Sequence, residues 1–492
     1  MAFRPHRLHA LAALTAGVAS LATSPAAASG YLTARYGADL GNPMTGNPFA
    51  VYHNPAAMSA TTGTQLSLDA TILARSVTYD RPTSALSPSV VLKPRLSAHD
   101  LPAGVEENYA ASNSGRAQLS NVAALPFLGF VSDLGGTNFR VGGAFYVPYG
   151  GSADWGRNTY YETSSTVPGG YDGAQRWSSI SGSILASYAT LAASYMLPDL
   201  RLALGVSGSA VMHSVSSVRA RNADGSDDTQ TPNGGLYEGR AILTGKSVQA
   251  ALGAGIYWEP LADRSIRVGA SYASQPGFGQ SKLDAKLDLL YANTSYADPA
   301  KRISSNEYDF LTTYPDVYRL GAAWRISEKF EARLDGAFIR WSVLKNQCVV
   351  TKGSACENVG INDTPDPAKV IVNLPRNWKD TFAIRAGGSW YPNPDVEVFG
   401  SAAYATPAVP KETIDAATVD STRFTGSAGA RFVLTPSFQV AASVAAVYFV
   451  PVDTAGASTL NKYASTVSRS PSADGVYKSF VPMVDLNGTY TF

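Results

Sequence analysis

The chain has 492 residues, 16% of them charged and 10% aromatic, with a formal net charge of +1. That near-neutral balance, without a basic stripe, argues against a nucleic-acid partner and against electrostatic binding to a membrane surface. The length alone suggests two or three soluble domains, but sparse charge, 26 Tyr and no linker-like stretch favour one large unit.

Residues 1–28 read as a secretory signal peptide. Arg4 and Arg7 give a basic start, 8–22 an apolar middle, and Ala26-Ala27-Ala28 a small-residue cleavage site. Losing both arginines leaves 37 basic against 38 acidic residues. No apolar run of 18 or more follows, so no transmembrane helix is expected. An exported chain of this kind is a soluble periplasmic β protein or an outer-membrane barrel.

The next stretch, 29–59, is rich in Gly, Pro and Asn and has neither strand nor helix periodicity. It still carries Tyr31, Leu32, Tyr36, Leu40, Met44, Phe49, Val51, Tyr52 and Met58. An irregular backbone with that much apolar surface needs a container that satisfies its peptide groups. We read 29–60 as an N-terminal plug, or hatch, and 61–492 as the cylinder around it.

The segments that follow alternate. Residues 65–73 put Leu66, Leu68, Ala70 and Ile72 opposite Ser67, Asp69 and Thr71, and 139–147, 317–326 and 423–434 repeat the pattern. Fourteen strands are expected near 64–75, 117–131, 138–149, 178–197, 200–217, 243–258, 264–276, 316–325, 328–342, 378–391, 394–404, 421–434, 437–449 and 480–492. Long loops (76–116, 150–177, 218–242, 277–315, 343–377, 405–420, 450–479) then alternate strictly with short turns. This is the topology of an all-β, 14-stranded antiparallel transmembrane β-barrel, apolar outside and polar within. Phe492 closes a last alternating strand with Val484, Leu486, Gly488 and Tyr490, as in barrel-assembly signals.

Several blocks resemble the FadL/TodX/OmpP1 outer-membrane transporters of long-chain fatty acids and other hydrophobic compounds. Asn54-Pro55-Ala56 follows a Gly/Asn-rich N-terminus, and Val147-Pro148-Tyr149-Gly150 precedes Ala153-Asp154-Trp155 and Arg157. Gly269-Ala270-Ser271-Tyr272-Ala273-Ser274 and Tyr314-Pro315-Asp316-Val317-Tyr318-Arg319-Leu320-Gly321 come next. The longest block runs from Trp378-Lys379-Asp380-Thr381-Phe382 through Ala405-Thr406-Pro407-Ala408-Val409-Pro410 to Asp420 and Arg423-Phe424. The blocks stand in the family's order along nearly the whole mature chain.

The resemblance implies a hatch-sealed barrel in the bacterial outer membrane, a hydrophobic pocket beside the hatch, and a kink in the third strand that opens a lateral window. Gly142-Gly143 is the expected kink, because glycine weakens a strand ladder; alternatively the pair only makes room for the hatch. Asn54-Pro55-Ala56 is the expected contact with the wall, held by Asp380 and Arg423. Arg423 falls inward by alternation, whereas Asp380 falls on the outward face. The segment before Asn54 is shorter than in the fatty-acid transporters, and no pocket motif transfers.

The expected function is passive transport of a long-chain fatty acid, an aromatic hydrocarbon or another apolar compound by a monomer in contact with outer-membrane lipid, without a cofactor or metal. Val90, Val91, Leu92 and Leu96, with Leu287, Leu289, Leu290 and Tyr291, offer capture grooves, and Ser29, Gly30, Tyr31 and Leu32 a gate. Cys348 and Cys356 suit a disulfide within one loop of an exported protein. The run Asn222-Ala223-Asp224-Gly225-Ser226-Asp227-Asp228 reads as a solvated loop or a weak divalent-ion site. His53, His99 and His213 are scattered, with no Ser-His-acid constellation or P-loop, so an enzyme such as a lipid hydrolase is not expected. An adhesive barrel remains the other reading, although it needs neither an apolar plug nor a kinked strand.

Overall fold

The computed structural model describes residues 35–87, 105–230, 236–290, 304–356 and 360–492. The expected signal peptide, the gate residues Ser29, Gly30, Tyr31 and Leu32, and Val90, Val91, Leu92, Leu96, His99 and Tyr291 lie outside them.

The described strands are β1 (Thr64–Arg81), β2 (Gly115–Ser132), β3 (Phe139–Asp154), β4 (Ser181–Leu197), β5 (Leu202–Ala220), β6 (Arg240–Trp258), β7 (Ile266–Ala273), β8 (Gln280–Leu290), β9 (Ser304–Thr313), β10 (Val317–Ser327), β11 (Phe330–Ile339), β12 (Asn346–Val350), β13 (Val370–Pro375), β14 (Thr381–Asn393), β15 (Val396–Ala405), β16 (Arg423–Thr435), β17 (Phe438–Asp453) and β18 (Val476–Thr491). Fourteen of them form the wall: β1 to β7, β10, β11 and β14 to β18. Each runs antiparallel to its neighbours, and β1 pairs with both β2 and β18, closing the cylinder.

Period-2 patterning explains which way each strand faces. In β1, Ser67, Asp69 and Thr71 are buried while Ile72 is exposed. Leu191, Val206, Leu252, Leu320, Phe382 and Phe424 stand exposed around the outside. So much contiguous apolar surface is incompatible with water and matches a lipid-facing belt.

The other four strands lie inside the expected long loops 277–315 and 343–377 and give them regular structure. The short β7 pairs only with the Gly253 to Trp258 end of β6, leaving the Arg240 to Lys246 end to β8. Strands β8, β9, β12 and β13 then extend the sheet above the wall. Leu283, Ala285, Leu287 and Leu289 alternate with Lys282, Asp284 and Lys286, and this apolar side packs on Phe310, Val349 and Val372. Cys348 and Cys356 are joined, with Cα atoms 6.2 Å apart.

The acidic run before β6 is likewise not a solvated loop. Asp227 is buried and takes hydrogen bonds from Arg81 (2.8 Å) and the Tyr109 hydroxyl (3.0 Å), so it is a structural node under the extracellular loops. No described group of His, Cys, Asp or Glu side chains is arranged to hold a metal ion.

Candidate functional site

Inside the cylinder lies the segment 35–60, nearly all of it buried. It contains one helical turn (Ala50–His53) and a 3-10 turn (Pro55–Ala60). Asn54 joins them because its side chain does two jobs. Its Oδ1 accepts from the Ala56 N–H at 3.1 Å, capping the 3-10 turn, and Pro55 occupies the first position, where no N–H is needed. Its Nδ2 donates to the Pro43 carbonyl (2.8 Å) within the hatch and to Ile256 O (2.9 Å) of β6.

The wall must be bare for this contact. A Cβ on Gly255 would stand 1.9 Å from Asn54 Oδ1, and one on Gly205 2.3 Å from the Ala56 nitrogen. Ser271 Oγ donates to the His53 carbonyl at 2.6 Å, and Ser59 Oγ to Ser194 Oγ at 3.0 Å. Where the hatch enters the wall, the Gly63 N–H donates to Asp133 in the turn before β3 at 2.8 Å, and this bond holds the Asp133 carboxyl below its ordinary value.

A charged cluster holds the other end. Asp39 pairs with Arg35 (2.9 Å) and accepts from Ser401 (2.6 Å) and Ser427 (2.7 Å). Arg385 of β14 donates to the hatch carbonyl of Gly41 at 2.9 Å and reaches Asp335 at 3.0 Å. The Gly37 N–H donates to Asp69 of β1.

This corrects the expected holding pair. The Asp380 side chain accepts from the Ser342 N–H at 2.8 Å, and Arg423 pairs with Asp420 at 3.0 Å. Both tie loop to wall, and neither makes a hydrogen bond to the described hatch residues, 35–60. Alternation alone placed Arg423 inward, but its height along the bore leaves it with Asp420.

The wall beside the hatch is incomplete. Pairing of β2 with β3 runs only from Ser132 opposite Val141 to Phe127 opposite Tyr146. It resumes at a bridge between Leu119 and Trp155, with the Gly156 N–H on Gln118 O at 2.8 Å and Asn121 Nδ2 on Ser152 Oγ at 3.2 Å. Between these closures β3 has one extra residue, because its register against β4 slips between Tyr146 and Tyr149. Pro148 sits in that bulge and has no N–H for a ladder. Residues 146–151 are all buried, so the strand turns away from lipid here.

The kink therefore falls at Val147-Pro148, not at Gly142-Gly143, where the ladder is intact. A Cβ on Gly142 would meet Met58 Sδ at 2.8 Å and Val51 at 3.0 Å, so this glycine makes room for the hatch. The hatch also covers the gap. The orphaned Val147 N–H donates to the Tyr36 hydroxyl at 2.6 Å.

An aromatic run leads to this point. Trp378 meets Trp341 (ring centroids 4.7 Å apart), Trp341 meets Tyr149 (6.2 Å), and Tyr149 meets Tyr188 (6.3 Å). Tyr188 stacks on Tyr146 (5.4 Å), which contacts Tyr52 (5.0 Å) and Tyr36 (5.9 Å) of the hatch. Below the hatch, by contrast, a cavity of about 810 Å³ is lined by Arg267, Glu331, Arg333, Glu397 and Arg431.

A closed 14-strand wall, an internal hatch and a bulged third strand invite comparison with known proteins. The family model for outer membrane protein transport proteins (OMPP1/FadL/TodX) matches residues 12–492. The chain belongs to that family. OMPP1/FadL/TodX proteins are outer-membrane transport proteins, which sets this chain in the bacterial outer membrane and apart from enzymes.

Solved structures share the family fold at low identity. A Pseudomonas aeruginosa FadL homologue superposes with a TM-score of 0.70 at 16% identity, covering 96% of this chain and 99% of its own. The Pseudomonas putida toluene transporter TodX gives 0.58 at 14% (91% and 94% covered), and the Ralstonia pickettii toluene transporter TbuX 0.55 at 16% (91% and 94%). Curated proteins give no significant match. Sequence reasoning missed the hatch contacts of Arg385, Asp39, Asp69 and Tyr36. Inward alternation marks Arg385 and Asp69 as lumen residues, but no local signal says which loop segment they meet.

Proposed function

We propose that this protein carries a hydrophobic compound passively across the outer membrane and releases it sideways into the bilayer through the break between β2 and β3. The extracellular loops take up the ligand, the aromatic run from Trp378 to Tyr146 conducts it, and Tyr36 of the hatch covers the exit. TodX and TbuX are toluene transporters, which supports an apolar cargo.

The observation that carries the reading is the interrupted ladder. Unpaired strand groups at membrane depth cost several kcal/mol each, and are tolerated only where they line a cavity or meet protein. A wall serving only for support or adhesion has no use for such a break. An apolar cargo also gains by avoiding water, since each CH₂ kept out of it is worth about 0.8 kcal/mol. The lateral exit spares it the charged cavity under the hatch.

Deleting Pro148 removes the extra residue and lets β3 pair without a bulge. The expected result is a folded barrel that no longer takes up labelled toluene or labelled fatty acid. Unchanged uptake by a correctly assembled variant would overturn lateral release.

A further inference from the structure

The cavity under the hatch has no part in a sideways exit, and its charges point to a ligand of their own. Its roof is the hatch segment Thr45-Gly46-Asn47, and its rim is made by the short turns joining β10 to β11, β14 to β15 and β16 to β17. At about 810 Å³ it has the size of a small-molecule site, and it faces the periplasm.

Two carboxylates there serve four guanidinium groups. Glu331 pairs with Arg267 at 2.5 Å and lies 3.5 Å from Arg333 and 3.8 Å from Arg325. Glu397 pairs with Arg431 at 2.9 Å and lies 3.7 Å from Arg333. Glu328 and Lys329, on the turn after β10, cancel, so the lining carries two positive charges in excess.

The spare donors belong to Arg431 and Arg325. Arg431 gives one terminal nitrogen to Gln439 at 2.9 Å, but its Nε has no hydrogen-bond partner among the described residues. Arg325 lies over the Tyr391 ring at 3.7 Å and donates to the Glu328 carbonyl at 2.7 Å. Its one ion-pair partner among the described residues is Glu331, which Arg267 already holds more closely. The Tyr391 hydroxyl donates to Glu397 at 3.1 Å, so one ring and one carboxylate separate the two arginines. Guanidinium groups with open donors beside a cavity match phosphate, whose oxygens accept from an arginine fork two at a time. A phosphate ester carries about −1.5 to −2 at neutral pH, which offsets the excess.

We propose that this cavity binds a phosphate-bearing solute from the periplasm, its oxygens taken by Arg325 and Arg431. Because the hatch forms the roof, the bound solute meets hatch and wall together and favours the docked hatch. The site lies off the route of the apolar cargo, so it is a second ligand site and not a stage of transport.

The test is isothermal titration of the purified full-length protein in neutral detergent at fixed ionic strength, with inorganic phosphate, glycerol 3-phosphate and glycerol as probes. Both phosphates are expected to bind and glycerol not to. Tighter binding of glycerol 3-phosphate identifies an ester as the ligand, and equal binding identifies free phosphate. Arg325→Gln and Arg431→Gln should each weaken the phosphates about tenfold, as loss of one charge-assisted contact allows. Arg264→Gln, on the exposed turn between β6 and β7, should leave them unchanged. Glycerol 3-phosphate at ten times its Kd should also slow periplasmic-side proteolysis of residues 35–60 about tenfold. No binding of either phosphate, or equal weakening by Arg264→Gln, overturns the site. Glutamine variants that melt earlier but keep wild-type affinity mark the arginines as structural and overturn it too. Binding without slower proteolysis overturns the placement under the hatch. Each of these results leaves lateral release standing.

Discussion

The Tyr36 hydroxyl lies 2.6 Å from the Val147 nitrogen, so a hatch side chain takes the hydrogen bond that a neighbouring strand takes elsewhere in the wall. Tyr36→Phe keeps the ring contacts but leaves that N–H unpaired, at a cost of about 1–3 kcal/mol. The expected outcome is a looser cover over the gap, read as faster entry of a hydrophobic dye into cells. Dye entry equal to wild type at equal expression would show that the bond does not restrain the hatch.

The wall glycines under Asn54 set how closely the hatch can dock. With only 1.9 Å between a Cβ on Gly255 and Asn54 Oδ1, Gly255→Leu must push Asn54 out of its site. The barrel is expected to assemble, since the hatch is not part of the strand ladder, while residues 35–60 become cleavable by protease from the periplasmic side. Full protection in the variant would contradict the docking geometry.

Arg385 and Arg423 should separate cleanly. Arg385→Ala strips donors from Gly41 O and Ala38 O and leaves Asp335 without its 3.0 Å partner. Losing these charged hydrogen bonds from a half-buried site costs about 1–3 kcal/mol, which weakens hatch docking. Arg423→Ala removes the link to Asp420 and the contact over the Phe449 ring but no hydrogen bond to the described hatch residues, and ion conductance through a planar bilayer is expected to rise for the first variant and stay at wild-type level for the second.

Acid should loosen the extracellular cap at one identifiable point. Burial raises the Glu238 carboxyl, but Arg176 (2.9 Å) and Arg240 (2.6 Å) outweigh it and hold the group below its ordinary value. A depressed carboxyl contributes stability that is complete above its unfolded value, about 4.3, and is lost as pH falls through the lower folded one. Loop amide hydrogen exchange, corrected for its intrinsic pH dependence, should therefore speed up on acidification below about pH 4. In Glu238→Gln, exchange should already be fast at neutral pH and should change little with acid.

Much of this architecture was legible in the residue order. Alternation is a local property, so the lipid side of β1 (Leu66, Leu68, Ala70, Ile72) and its lumen side (Ser67, Asp69, Thr71) followed from spacing alone. Loop and turn lengths then gave fourteen wall strands, and Gly, Pro and Asn between large apolar residues marked 29–60 as something to be enclosed. Only the folded chain decided which residues face each other across the bore. Asp39 and Arg385 are 346 positions apart, and their meeting depends on strand tilt and register summed around the cylinder. One extra residue at Val147-Pro148 shifts that register and moves the break away from Gly142-Gly143, and the same long-range closure brings Arg325 and Arg431 to one cavity. Faces are written residue by residue, whereas partners across a barrel are set by how the whole sheet closes.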